Sequence, residues 1–137
     1  TKPDQPVDGP WLDGSHGHSR NKIYWCFGQL ADFVAPAAAN TWVFLDEDPA
    51  SINDAGFAGA AENPIWIDWP ATFAARGASF AFADGHAEIH KWASDETRVG
   101  KAGVGQRAPK TVQGRADRQW ISDRTTARVD GKEMKRF

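Results

Sequence analysis

Along the chain, short apolar runs alternate with clusters of turn residues, a pattern of strands and turns and not of long helices. "TWVFLDE" (41–47) is apolar at successive positions, which predicts a central strand covered on both faces. "PIWIDWP" (64–70) predicts a further strand bounded by proline at both ends, and "KIYWCFG" (22–28) a short one. In "ASFAFADGHAEIHKW" (78–92) two alternating runs meet at Asp84-Gly85. Asp-Gly in that setting predicts a two-residue type I′ hairpin turn, in which both central residues take positive φ. The implied register pairs Ala83 with His86, Phe82 with Ala87, Ala81 with Glu88, Phe80 with Ile89 and Ser79 with His90. Phe80, Phe82, Ala87 and Ile89 then share the core face. Ser79, Ala81, Ala83, His86, Glu88 and His90 share the other.

Helical signals are weaker. "QLADFV" (29–34) predicts one turn, ended by Pro36. "RQWISDRTTARV" (118–129) predicts a final short helix anchored by Trp120 and Ile121. Residues 48–57 and 94–117 read as loops, the second a long Gly-, Lys- and Arg-rich one. No internal repeat is visible. The expected class is α+β, an antiparallel sheet with a DG-turn hairpin, short helices and long loops. Residues 1–21 form a Pro/Gly-rich lead-in pinned by Trp11, 22–96 an acidic β-rich body, and 97–137 a basic tail packed on the same single domain.

Composition fits one domain. The 137 residues are 41% hydrophobic, with seven Trp and eight Phe, enough for one core and too little for two. Thirteen Gly and eight Pro favour a β-rich or mixed fold over a helix bundle. The net charge of −2 sets up no global field that demands nucleic acid. The charge is segregated, however. Residues 1–96 hold five Lys/Arg against fourteen Asp/Glu, a balance of −9, and residues 97–137 hold eleven against four, a balance of +7. The tail either folds back onto the acidic body or reaches a neighbouring subunit through Arg98, Lys101, Arg107, Lys110, Arg115 and Arg118. Cys26 is the one cysteine, which excludes an intrachain disulfide and suits a small core residue. No run approaches the roughly 18 apolar residues a membrane helix needs. With neither a signal peptide nor an initiator Met, the chain reads as a fragment or a processed product.

Several stretches together resemble a known family. "FADGH" and "HKW" in the hairpin, "WIDWPATF" before it, "WVFLDEDPASINDAGF" (42–57), "YWCFGQLADF" (24–33) and "QWISDRTTAR" (119–128) occur in the order found in prepilin-type, processing-associated H-x9-DG proteins. These are a branch of the type II secretion pseudopilin and type IV pilin superfamily. The resemblance covers most of the chain. It departs at Ala74, which stands where the family histidine would be. It departs again in lacking a prepilin cleavage site and a long hydrophobic helix: either the helix was removed or assembly proceeds without it, and any membrane contact would run through that helix. The resemblance implies a pseudopilin-like globular domain whose antiparallel sheet packs on such a helix. It implies a periplasmic or extracellular location and a structural role in a pseudopilus-like fibre.

Candidate chemistry is sparse. His86, Glu88 and His90 alternate on one strand, with neighbours about 6–7 Å apart at Cα, so two of them could share a transition metal. The alternative is a polar, half-solvated sheet face. His16 and His18 could add imidazoles from the lead-in loop. Asp46, Asp48, Asn53 and Asp54 gather hard oxygens suited to calcium, a cofactor that recurs in pseudopilin domains; the alternative is an Asx-rich turn that satisfies backbone amides. Trp42 reads as core, while Trp66 and Trp69 lie at opposite parity, so one of them could face solvent as a sugar platform. No nucleophile elbow, zinc-protease motif or phosphate loop is present. The leading expectation is a non-catalytic, self-associating fibre subunit at the cell surface. Its alternatives are an extracellular polysaccharide-binding module and a metal-dependent enzyme using His86 and His90.

Overall fold

The computed structural model describes residues 23–53, 56–98 and 105–137. Strands β1 (Trp42–Leu45), β2 (Gly77–Phe82) and β3 (Ala87–Lys91) form an antiparallel sheet in the order β1-β2-β3. Short 3-10 turns at Leu30–Asp32 and Ala38–Asn40 precede it; helices α1 (Asp95–Arg98) and α2 (Val112–Ser122) follow. The class is therefore mixed α+β.

The hairpin register differs from the sequence expectation by one residue. Ala81 pairs with Ala87, Phe80 with Glu88, Ser79 with Ile89 and Ala78 with His90. The turn explains the slip. The Gly85 amide donates to the Phe82 carbonyl at 2.9 Å, and the Phe82 amide to the His86 carbonyl at 2.9 Å. Among the described residues of this turn only Gly85, at φ 94°, is left-handed. This is a three-residue loop closed by a glycine bulge. It asks one residue for positive φ, and Asp84 instead uses its carboxylate to accept the His86 amide at 3.1 Å. A one-residue slip moves every side chain of β3 to the opposite face. His86, Glu88 and His90 thus share a face with Phe82, Phe80 and Ala78. Ala87 and Ile89 turn outward.

Gly77 fixes the far end of the same ladder. A Cβ there would stand 1.9 Å from the His90 carbonyl oxygen, so only glycine lets the strands approach.

The expected central strand 41–47 is an edge, and β2 takes the centre. A bulge between Trp42 and Phe44 sets Trp42 opposite Phe82 and Leu45 opposite Phe80, while Phe44 falls opposite Ala81. Residues 64–70 do not form a strand. Their backbone groups go to successive different partners: Trp66 exchanges hydrogen bonds with Arg107, the Asp68 amide donates to Ala58, and the Trp69 carbonyl accepts from the Asp48 amide. Likewise 23–28 contributes an isolated bridge between Tyr24 and Arg128.

The core is aromatic. Trp66, Trp69, Trp92, Phe80, Phe82 and Ile121 pack with Ala71 and Ala78. Trp92 Nε1 donates to the Ala71 carbonyl at 2.8 Å and Trp69 Nε1 to that of Gly105 at 3.1 Å, which lets both indoles be buried.

Helix α2 begins well before the expected 118–129 segment. Thr111 caps it, its Oγ1 accepting the Gly114 amide at 3.0 Å. The buried stripe is Gly114, Asp117, Arg118, Ile121 and Ser122, mostly polar. Asp117 accepts the Ala93 and Ser94 amides at 2.8 and 2.9 Å, Arg118 donates to the Ala60 and Ile65 carbonyls, and Ser122 donates to Ala61. Side-chain hydrogen bonds to loop backbones, and not an apolar seam alone, hold this helix in place. Among the described residues no helix is long and apolar enough to cross a membrane.

Candidate functional site

The two faces of the sheet carry different chemistry. On the packed face, the His90 ring stacks on Trp120 with centroids 3.7 Å apart, edge-on to Phe80 and Trp92. Burial holds its pKa below the ordinary histidine range; Arg124 adds to this, and Asp117 and Glu88 oppose it. The His86 ring stacks on Phe82 at 4.3 Å, and its Nδ1 lies 2.6 Å from Asp84 Oδ1. Those hydrogen bonds from the His86 ring and amide hold the Asp84 carboxyl below its usual range. Asp84 and Gly85 thus serve the turn, as the sequence indicated, though by another turn geometry. His86 Nε2 is 4.0 Å from Glu88. His90, by contrast, is turned into the aromatic cluster. Among the described residues no group of three or more His, Cys, Asp or Glu side chains is placed to hold a metal ion. His16 and His18 lie outside the described residues.

The oxygens of the acidic loop accept backbone amides, within the loop and beyond it. Asp46 Oδ2 accepts the Ser79 amide at 3.3 Å, Asp48 Oδ1 the Ala50 amide at 2.9 Å, and Ser51 Oγ the Trp69 amide at 2.9 Å. Asn53 is exposed, and Asp54 lies outside the described residues. Neither Trp66 nor Trp69 faces solvent; both are buried, while Trp25 is exposed and Trp11 lies outside the described residues.

The basic tail folds back in part. Arg128 pairs with Glu62 at 2.8 Å and with Asp130 at 2.9 Å. Burial pushes the Glu62 carboxyl up, but hydrogen bonds from the Tyr24 hydroxyl, the Lys135 amide and Arg128 outweigh it and hold the pKa low. Arg118 cannot be a subunit contact. It is 1% exposed, lies over the Trp66 and Phe137 rings, and burial pulls its guanidinium down to about 10. A core arginine looks like a surface one in sequence, because its acceptors are backbone carbonyls that leave no motif. Arg107 exchanges backbone bonds with Trp66 and lies over Trp69, and Arg98 pairs with Asp95. Lys101 lies outside the described residues. Lys110 and Arg115 stand at the surface end of α2, and among the described residues neither forms an ion pair.

The outer face and the β1 edge carry residues that sequence reasoning missed. Phe44 is 74% exposed and Ile89 55%, on the face opposite the core. Phe73, at 68%, and Ile52 are exposed beside β1. Phe44, Ile52, Phe57 and Phe73 line a groove of about 480 Å³ with Asp46 and Glu47. A shallower aromatic hollow lined by Trp25, Phe27, Phe33 and Trp42 adjoins it at Val43. The signal for this surface was the bulge, which no sequence period marks. The site thus has the makeup of a contact surface: apolar, open and lined by two half-buried acids.

No family model, curated protein or solved structure matches this chain in comparisons with each.

Proposed function

We propose that this chain is a non-catalytic structural subunit of a pseudopilus- or pilus-like fibre of the cell envelope, working in the periplasm or outside the cell. One observation carries the reading. The sheet buries Phe80, Phe82 and Trp92 on one face and leaves Phe44 and Ile89 uncovered on the other, and Phe44 also lines an apolar groove. Large apolar side chains left exposed together beside a groove mark a contact site. A sheet with a bare apolar face suits a body that is laid against another element, as the resemblance to the pseudopilin superfamily implies. Sheet residues with large aromatic side chains give such a contact area without long flexible chains to immobilise.

Electron microscopy of the native material tests this. Fibres or fibre-associated particles are expected. Isolated particles that bind no other envelope subunit would remove the proposal.

A further inference from the structure

We propose that the acid-lined groove beside β1 receives the N-terminal corner of α2 from a second copy of the chain. The inference rests on the fibre reading and specifies its contact. Among the described residues of the basic third, Val112 is the exposed large apolar side chain, at 69%. Lys110 and Arg115 flank it, and the Arg115 guanidinium donates to the Lys110 carbonyl at 2.8 Å, so all three occupy one corner. The nearby Glu96 carboxylate is engaged at the helix start. It accepts the Lys110 and Thr111 amides and the Thr111 hydroxyl at the start of α2, where the helix favours negative charge. The corner therefore presents an apolar knob between two cations.

The groove presents the complement. Phe44, Ile52 and Phe73 form an exposed apolar floor, and Asp46 and Glu47 line the same groove. Groove against groove would oppose these acids, and corner against corner would oppose Lys110 and Arg115. Groove against corner avoids both, and charge complementarity of this kind selects the partner. The two surfaces share no residue, so the contact is heterologous and propagates. It is small beside the roughly 1,200–2,000 Å² of a stable interface, so single contacts are weak and association depends on concentration.

Site-directed cross-linking with a short bis-maleimide tests it. Val112→Cys and Ile52→Cys copies, each in a Cys26→Ala background and differing in mass by a tag, are mixed at high concentration. Both positions are exposed, and a thermal melt of each variant checks folding. Adducts between Val112→Cys and Ile52→Cys copies are expected, in excess over adducts of either variant with itself. Lys110→Glu with Arg115→Glu should lower the mixed adduct about tenfold, as should high salt. Association without the mixed adduct, or with dominant Ile52–Ile52 adducts, overturns this contact and leaves the fibre reading standing. A chain that stays monomeric at every concentration overturns both.

Discussion

The packed and outer faces of one small sheet are built from the same kinds of residue, yet they do different work. Phe80 and Phe44 are both phenylalanines on neighbouring strands; one is 1% exposed and the other 74%. The difference lies in what each faces. Phe80 meets Trp92 and Trp120 edge-on at 6.0 and 4.9 Å, with Ile121 of α2 in the same cluster. Phe44 meets the open groove. Residue type alone does not tell stabilising apolar area from contact area; the strand register does.

Substitutions sharpen the contrast. Phe80→Ala should cost about 3–5 kcal/mol in a denaturant melt, since it opens a cavity among the indoles. Gly77→Ala comes next at about 1–3 kcal/mol, because the new methyl meets the His90 carbonyl and the strands must part. Thr111→Ala should cost about 1 kcal/mol through the lost cap of α2, read by the same melt. Ile89→Ala on the outer face should stay within about 0.5 kcal/mol. If Ile89→Ala cost as much as Phe80→Ala, the two faces would not differ as described.

His90 gives a pH-dependent version of the same comparison. Burial lowers its folded pKa below the 6.5 of the free side chain. The unfolded chain then binds more protons in acid. Its contribution to stability is present above about pH 6.5 and is lost as the pH falls through the lower folded value. Urea midpoints taken between pH 7 and pH 5 should therefore fall, and His90→Phe should flatten that slope. An unchanged slope in His90→Phe would place the proton uptake elsewhere.

Much of the fold was legible because hydrophobic alternation marks buried strands. The hairpin strands and the burial of Phe80 and Phe82 follow from it, while Asp84-Gly85 marks the turn and Pro36 the end of the single helical turn. The register did not, because Asp-Gly closes both two- and three-residue loops, and one residue decides which face Ile89 and the histidines take. Residues 64–70 look like a strand, since proline-bounded apolar runs do, but their backbone groups bond to several different segments. The start of α2 was hidden by Gly114 and by a buried stripe of Asp117, Arg118 and Ser122, whose acceptors and donors are loop backbones. Of the candidate site, the basic character of Lys110 and Arg115 was visible, while the apolar groove was not: it is assembled from Phe44, Ile52 and Phe73, three stretches whose meeting no local pattern announces.

Sedimentation velocity over a concentration series, comparing the unaltered chain with Phe44→Glu/Ile89→Glu, tests the division of labour most directly. The unaltered chain should form growing species as its concentration rises, and the double variant should remain a folded monomer with the same melting temperature. A double variant that associates like the unaltered chain, or one that unfolds because the outer face was stabilising after all, would contradict it.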